Sequence, residues 1–164
     1  MFQNLELSIR KIILVCVLLG FLGANLAGAA DEGRVPRVVE RVIDGDTVVV
    51  DGVEHLRLIG INAPEYQPHR HHIDPYGKES ASCARDRLDG KTVFLEYDVD
   101  RKDKYERTLA YVYSDAGELI NRTLVAEGCA KAGYYPPNGK HYRTIKEAEL
   151  EAKVRRKGLW AVVD

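Results

Sequence analysis

The chain lacks an excess of basic residues, internal repeats and low-complexity segments. Its 24 Lys and Arg residues stand against 25 Asp and Glu, so the formal net charge is −1 with histidine neutral. Proteins that bind nucleic acid usually carry a strongly basic surface, and the overall charge argues mildly against that class. The absence of repeats excludes repeat architectures, and the length of 164 residues suggests one domain.

Residues 1–30 differ from the rest of the chain. Two basic residues, Arg10 and Lys11, precede an uncharged apolar run at 12–26, and small residues follow at 27–30. This order is typical of a secretory signal peptide. The uncharged stretch is also just long enough to cross a bilayer, so an uncleaved membrane anchor is the alternative. The small residues favour cleavage, which predicts a secreted or periplasmic protein that begins near residue 31.

Cysteine is scarce as well. Cys16 leaves with the leader, so Cys83 and Cys129 remain and allow one disulfide at most. In an oxidising compartment these two residues are expected to form a bridge. Two buried thiols that pack as small apolar groups are the alternative, and the sequence leaves both interpretations open.

A segment rich in valine, isoleucine and leucine, 42–65, carries most of the information about function. The stretches 47–50 and 56–61 are predicted strands. Asp51-Gly52 between them favours a tight type I′ turn, in which both central residues have positive φ. The two strands therefore form a hairpin, and the residues just outside it come together at one end.

Carboxylate and amide side chains occupy that end of the predicted hairpin. Asp46 precedes the first strand, and Asn62 and Glu65 follow the second. Oxygen ligands of this kind suit a hard cation, Ca²⁺ or Mg²⁺. Taken singly, each fragment is also typical of plain turn chemistry, because Asp side chains often bond to the backbone of their own turn.

The order of three motifs is more specific than any one of them. Residues 43–47 are IDGDT, residues 57–65 are RLIGINAPE, and residues 104–107 are KYER. In this order and spacing the sequence resembles the staphylococcal nuclease (thermonuclease) family, from about residue 37 to 160. The resemblance implies an α+β, mainly β, domain: a five-stranded OB-fold Greek-key barrel with three helices, within residues 31–164.

The hydrophobic pattern predicts elements that agree with such a barrel. Alternating apolar residues indicate strands, and apolar residues three and four apart indicate helices. The predicted strands are 37–43, 47–50, 56–61, 93–99 and 109–113, and the predicted helices are 77–88, 119–127 and 144–156.

The resemblance implies catalytic roles for three residues. Glu65 is the expected general base that activates water. Arg57 and Arg107 are expected to bind phosphate oxygens through their forked guanidinium groups, which lysine would do less specifically. The same resemblance implies a Ca²⁺ ion bound by Asp46, Asn62 and the backbone carbonyl of Ala63, while Asp44 shapes the turn or supports the ligands.

The resemblance also implies a binding surface for the substrate. Lys104 and Tyr105 would contact the phosphate on the 3′ side of the scissile bond. Tyr134 and Tyr135 would stack on a base, which tolerates any sequence and favours single strands.

Two residues depart from the family pattern. Asn62 stands where the family often has Asp, and Glu106 stands where a well-known member has Gly. We expect Glu106 to pair with Arg107 and so weaken its contact with phosphate. These departures would slow the enzyme, change its metal preference or inactivate the site.

The loop after Pro68 is rich in histidine. Residues 69–72 are His-Arg-His-His. A transition-metal site is one interpretation, but no Cys or Asp is placed to complete a tetrahedral site, so a solvated basic loop is favoured.

Together the motifs predict a monomeric, secreted, Ca²⁺-dependent endonuclease. It would hydrolyse phosphodiester bonds of DNA and RNA with low sequence specificity and leave 3′-phosphate ends. The alternative is a catalytically weak or inactive OB-fold module that binds single-stranded nucleic acid. The joint presence of Arg57, Glu65 and Arg107 favours the enzyme, and a membrane is a partner only if the leader is uncleaved.

Overall fold

The computed structural model describes residues 33–162, so the predicted leader lies outside the described residues. The strands are β1 (Val35–Val42), β2 (Thr47–Val50), β3 (Glu54–Leu58), β4 (Ile61–Asn62), β5 (Tyr66–Gln67), β6 (His72–Ile73), β7 (Thr92–Glu96), β8 (Thr108–Tyr113) and β9 (Lys131–Ala132). The helices are α1 (Gly77–Leu88), α2 (Ile120–Ala126), α3 (Tyr142–Val154) and α4 (Leu159–Val162), and a 3₁₀ turn covers Pro68–Arg70. Within the described range no helix is long and apolar enough to cross a membrane.

Five of the strands close into a barrel in the order β1-β2-β3-β8-β7. Neighbouring strands are antiparallel except β3 and β8, which run parallel with Leu56 opposite Thr108. This is the OB-fold, and the predicted fold class is confirmed. The barrel interior is filled by apolar side chains from every strand, of which Val39, Leu56, Leu58, Leu95 and Val112 are almost fully buried.

The hairpin of β2 and β3 differs from the prediction at both ends. Val50 pairs with Glu54, so the connection has three residues rather than two, although Asp51 (φ 47°) and Gly52 (φ 90°) both have positive φ. β3 ends at Leu58 because Gly60 (φ 79°) turns the chain. Of the residues predicted to extend this strand, Ile61 begins the separate strand β4, which pairs with β9.

A buried asparagine fixes the turn between β3 and β4. Asn121 on α2 accepts a hydrogen bond from the backbone N–H of Val112 (2.8 Å) and donates one to the carbonyl of Ile59 (2.8 Å). Both partners are backbone groups that would otherwise lack hydrogen bonds in the apolar interior. Asn121 therefore holds the segment that leads from the hairpin to the polar residues beyond it.

α1 packs against the same polar end of the hairpin. A Cβ atom at Gly45 would lie 2.1 Å from Ser80 Oγ, and one at Gly77 would lie 2.2 Å from the Glu65 carbonyl oxygen. These approaches are too close for any side chain larger than hydrogen. The two glycines therefore let α1 support the backbone of both the Asp44–Asp46 turn and the segment that contains Glu65.

A disulfide joins Cys83 on α1 to Cys129 after α2, with Cα atoms 6.3 Å apart. The bridge closes a loop with a sequence separation of 46. One turn before Cys83, Ser80 Oγ donates a hydrogen bond to the Cys129 carbonyl (2.6 Å). Both contacts attach α1 to the segment that follows α2.

Reducing this disulfide should lower the melting temperature by roughly 10–20 °C. A cross-link over a loop of this length removes unfolded-state entropy worth roughly 3–4 kcal/mol, and each kcal/mol shifts the melting temperature of a domain this size by about 3–5 °C. The measurement is thermal unfolding with and without reductant. The double variant Cys83→Ala/Cys129→Ala is the control and should not respond to reductant. A wild-type curve that reductant leaves unchanged would show that the bridge does not stabilise the fold.

Candidate active site

Asp46 lies buried at the open end of the hairpin. Its Oδ1 accepts a hydrogen bond from Thr47 Oγ1 (3.1 Å), and its Oδ2 accepts one from the backbone N–H of Ala63 (2.6 Å). Its own carbonyl accepts from the N–H of Leu58 (2.9 Å). The hairpin therefore brings the segments on either side of it together, as the turn chemistry of the sequence predicts.

Arg57 on β3 makes four contacts at this end. Its Nη2 lies 3.0 Å from Asp46 Oδ2 and 3.4 Å from Asn62 Oδ1. Its Nη1 donates to the carbonyls of Leu58 and Ile61, each at 3.1 Å. Only the planar fork of an arginine can reach all four acceptors at once.

Two cavities open beside this cluster. The first, here called the tyrosine cleft, has a volume of about 350 Å³. The residues that line it include Arg57, Asp103, Lys104, Arg107, Tyr135 and Asn138. The second, here called the glutamate cleft, has a volume of about 550 Å³. The residues that line it include Arg41, His55, Glu65, His69, Arg70 and Arg107.

Arg107 belongs to both clefts. Its Nε and Nη2 lie 2.7 and 2.6 Å from Asp103 Oδ2. Asp103 Oδ1 in turn accepts the backbone N–H groups of Tyr105 (2.9 Å) and Arg107 (3.0 Å). Burial would raise the pKa of Asp103, but the hydrogen bonds from Arg107 and the backbone outweigh it and hold the pKa below its usual value.

Glu65 enters the glutamate cleft from the segment before β5. Its Oε2 accepts a hydrogen bond from Gln67 Nε2 (2.8 Å), and its backbone N–H donates to Asp74 Oδ2 (3.0 Å). The side chain is only partly buried, so water can reach it. A carboxylate beside an arginine in a wet cleft can accept a proton from water next to a bound anion.

The amino-acid sequence is similar to those of known proteins. The family model described as staphylococcal nuclease homologue matches residues 55–162. The chain belongs to the staphylococcal nuclease family. It is 37% identical over 159 residues to the thermonuclease of Staphylococcus intermedius, covering 95% of this chain and 94% of that protein. It is 39% identical over 138 residues to the thermonuclease of Staphylococcus hyicus, covering 82% of this chain and 81% of that protein.

A bacterial endonuclease is also similar. The SPbeta prophage-derived endonuclease YokF of Bacillus subtilis (strain 168) is 36% identical over 128 residues, which are 75% of this chain and 43% of that protein. The matched region is therefore a nuclease-family domain, and nucleic acid is the class of substrate that this family implies.

The pKa of Asp46 shows that its charge is incompletely compensated. Burial raises this pKa to about 7, the Arg57 guanidinium opposes the shift, and the nearby Asp44 carboxylate adds to it. Asp44 is itself buried, and its Oδ1 accepts the backbone N–H of Asp46 (3.1 Å). Two buried carboxylates beside one guanidinium therefore carry negative charge that a bound cation would neutralise.

The donor atoms at this point fit a hard cation. Asp46 Oδ1 has one protein partner and keeps capacity for another, and Asn62 presents an amide oxygen on an exposed residue. Oxygen donors are the ligands that Ca²⁺ and Mg²⁺ prefer. The contact of Ala63 with Asp46 runs through its N–H, whereas the sequence analysis expected the Ala63 carbonyl to be a ligand of the metal.

Transition-metal ligands do not gather elsewhere in the described part of the chain. Within residues 33–162, the one group of three Cys, His, Asp or Glu ligand atoms within 4.8 Å of one another is Cys83, Glu127 and Cys129. The two sulfur atoms of that group form the disulfide. The histidines at 69, 71 and 72 are exposed and do not form such a group within that range.

The expected pairing of Glu106 with Arg107 is wrong. Arg107 pairs with Asp103, while the Glu106 carboxylate lies 3.9 Å from Lys102 Nζ. Glu106 has a φ of 63°, in the left-handed region that glycine adopts easily. This backbone conformation explains why a glycine suits the position, and Glu106 forms no ion pair with Arg107 within residues 33–162.

The two tyrosines expected to stack on a base are separated. Tyr135 lines the tyrosine cleft and is half exposed. Tyr134 instead packs on Tyr142, with ring centroids 4.9 Å apart, and is not among the residues that line that cleft. The buried Asn138 holds the Tyr135 loop in position, because its side chain bonds both the N–H and the carbonyl of Asp100 (2.8 Å each).

Tyr105 lies beside the expected phosphate-binding residues. Lys104 Nζ is 4.9 Å and Arg107 Cζ is 5.5 Å from the centroid of its exposed ring. The KYER motif predicted this group, but none of the motifs contains three further residues that line the clefts. Asp103, which orients Arg107, directly precedes that motif, while Arg41 directly precedes Val42 and IDGDT, and His55 lies two residues before Arg57.

Proposed function

We propose that the chain is a secreted, Ca²⁺-dependent nuclease that hydrolyses phosphodiester bonds of DNA and RNA. It acts as a monomer with low sequence specificity, prefers single strands and leaves 3′-phosphate ends. One observation carries the proposal: Arg107 lines the tyrosine cleft with Arg57 and the glutamate cleft with Glu65. The expected base and the two guanidinium forks therefore line two clefts that share Arg107. The proposal that the protein is secreted rests on the signal peptide predicted at residues 1–30.

The chain's own residues supply base catalysis and charge stabilisation. Glu65 takes the proton of the attacking water, and Arg57 and Arg107 bind the phosphoryl oxygens as negative charge develops on them. Asp46 and Asn62 would hold the cation, which when bound supplies further positive charge to the phosphoryl group. The ion pair between Arg107 and Asp103 keeps the guanidinium oriented before substrate arrives.

The tyrosine cleft supports a preference for single strands. Tyr135 presents half of its surface, and a base can stack on it only when it is not paired within a duplex. Stacking on an aromatic ring uses the face that every base has, so low sequence specificity follows. Lys104 and Arg107 line the same cleft and provide charge for the phosphates.

The test is digestion of single-stranded DNA by the purified protein with Ca²⁺ or with chelator. We expect products that carry 3′-phosphate ends with Ca²⁺ and intact DNA with chelator. The variant Asp46→Asn, checked for folding by circular dichroism, is the matched control and should need far more Ca²⁺. Intact DNA in both reactions, from folded wild-type protein that still binds it, would make a non-catalytic binding module the better assignment.

Ca²⁺ should stabilise the domain more at pH 8 than at pH 5. Burial raises the pKa of Asp46 to about 7 from 3.8, so without metal the folded domain loses stability as pH rises between those values. At pH 8 Asp46 is ionised and binding Ca²⁺ offsets this loss, whereas at pH 5 it is protonated and a poor ligand. The measurement is the shift in melting temperature with saturating Ca²⁺. An equal shift at both pH values would exclude Asp46 as a ligand.

Replacing Asn62 with Asp should tighten Ca²⁺ binding by about 10-fold. Asn62 is exposed and its Oδ1 is 3.4 Å from Arg57 Nη2, so an added charge there is partly screened by solvent and by the guanidinium. The rate at saturating Ca²⁺ should change less, because Asn62 has no role in proton transfer. Calcium titration of activity for both proteins is the measurement, and an unchanged or weaker half-saturating concentration would mean that Asn62 is not a direct ligand.

A further inference from the structure

Four side chains that the proposed mechanism does not use line the glutamate cleft. They are Arg41, His55, His69 and Arg70. They come from three separate parts of the fold: the end of β1, β3 and the 3₁₀ turn. All four are exposed. Residues so far apart in the chain reach one cleft because β1, β2 and β3 pair and the 3₁₀ turn lies beside them.

None of these four side chains has a hydrogen-bonding or ionic partner within residues 33–162. The guanidinium groups of Arg57 and Arg107, in contrast, are held by Asp46 and Asp103. Arg41 and Arg70 can therefore bind an added anion without breaking an ion pair. The two imidazoles add hydrogen-bond donors at the same cleft.

Within residues 33–162, neither acidic group in this cleft forms an ion pair with Arg41 or Arg70. Asp44 is buried, and its Oδ1 accepts the backbone N–H of Asp46. The Glu65 carboxylate accepts a hydrogen bond from Gln67. With Arg107, three arginines and two imidazoles line a space of about 550 Å³, large enough for a nucleotide. The geometry and the charge thus favour a bound anion.

The substrate is a polymer, and this identifies the anion in the glutamate cleft as a phosphate of its backbone. A polynucleotide that reacts at Arg107 has to leave that residue in two directions. The tyrosine cleft, with Lys104 beside Tyr105, takes the 3′ side by resemblance to the family. The glutamate cleft is the other cleft that Arg107 lines, so it is left for the 5′ side.

We propose that Arg41, His55, His69 and Arg70 form a binding site for the phosphates on the 5′ side of the scissile bond. This proposal rests on the proposed function, because it assigns a subsite of the same reaction. Arg41 and His55 stand on barrel strands and fix the position of the first phosphate, while His69 and Arg70 contact it from the loop. The site selects for substrates that extend 5′ of the cleavage point, and so favours internal cleavage.

The test uses short single-stranded oligonucleotides that each contain one cleavable phosphodiester. All other linkages are neutral methylphosphonates, so that the substrate has a single anionic linkage. Restoring one anionic phosphate immediately 5′ of the cleavable bond should raise kcat/KM about 10-fold, the usual effect of one charge-assisted hydrogen bond. Restoring one anionic phosphate on the 3′ side measures the contribution of Lys104 and Tyr105 to kcat/KM. This gain serves as the internal reference.

Two single variants, Arg41→Gln and Arg70→Gln, identify the residues. Each should lose most of the gain from the 5′ phosphate and keep the gain from the 3′ phosphate. Arg155→Gln, an exposed arginine that follows α3 and lines neither cleft, should keep both gains. The activity of each variant on the singly charged substrate corrects for any defect in folding.

The possible outcomes distinguish failure of the proposed 5′ subsite from failure of the proposed nuclease function. Cleavage of every substrate with no gain from the 5′ phosphate overturns the subsite and leaves the nuclease assignment intact. A gain that both variants keep also overturns it, because the phosphate then binds elsewhere. The absence of cleavage from all substrates at saturating Ca²⁺ overturns the proposed function itself.

Discussion

Replacing Glu65 with glutamine should lower the rate at saturating Ca²⁺ by at least about 100-fold, the usual scale for loss of a general base. Glutamine has the shape of glutamate and keeps an oxygen that can accept the hydrogen bond from Gln67. It cannot take a proton from water at neutral pH. The change therefore removes the chemistry and leaves the cleft in place.

Binding of substrate should survive this substitution. Arg57 and Arg107 keep their partners Asp46 and Asp103, neither of which contacts the Glu65 side chain through a hydrogen bond in the described residues. The affinity for single-stranded DNA, measured by fluorescence anisotropy in Ca²⁺, should stay within a few-fold of wild type. A small increase is expected because one negative charge is removed beside the phosphates.

The matched control is Glu147→Gln on α3, an exposed glutamate that lines neither cleft. It should cleave DNA at the wild-type rate. If Glu65→Gln also retained a rate within a few-fold of wild type, Glu65 would have no part in proton transfer and another base would have to act in the glutamate cleft.

Local patterns predicted the elements of the fold because their causes are local. The apolar spacing in 77–88 defines α1 to the residue, and Asp51-Gly52 adopts the positive φ values that its turn needs. The end of β3 was not predictable in the same way. Its apolar run continues past Gly60, and the chain turns there because Gly60 has a positive φ and Asn121 from α2 binds the Ile59 carbonyl.

The motifs predicted which residues gather at the site, but not how they pair. Adjacency suggested that Glu106 binds Arg107, yet the left-handed backbone at Glu106 brings Asp103 to the guanidinium instead. Tyr134 and Tyr135 are neighbours in sequence, and only tertiary contacts decide that one packs on Tyr142 and the other lines a cleft.

Arg41 and His55 show most clearly which residues of the site the sequence could not predict. In the sequence each is one polar residue in a strand, where an exposed position on a barrel surface is the ordinary explanation. Their relation to Arg70 exists only after β1, β2 and β3 pair and the 3₁₀ turn folds over them. A resemblance that follows three motifs cannot reveal a surface built from residues outside those motifs.

Replacing Arg57 with lysine should lower the rate by about 100-fold, although the charge is unchanged. Arg57 meets Asp46, Asn62 and two backbone carbonyls through two different nitrogens. A lysine ammonium is a single point and cannot hold these acceptors and also present a fork to the phosphate. Loss of the two carbonyl contacts should also cost about 1–3 kcal/mol of stability.

Kinetics and unfolding together separate these effects. The single-turnover rate at saturating Ca²⁺ and DNA measures the catalytic loss, and denaturant unfolding measures the loss of stability in the same protein. Arg155→Lys on the exposed end of α3 is the control and should change neither quantity. Because the fork is needed only where charge develops on the phosphoryl oxygens, kcat should fall far more than KM rises. If the variant lost stability but kept its rate, Arg57 would act only by holding Asp46 in position. Arg107 would then have to stabilise the transition state alone.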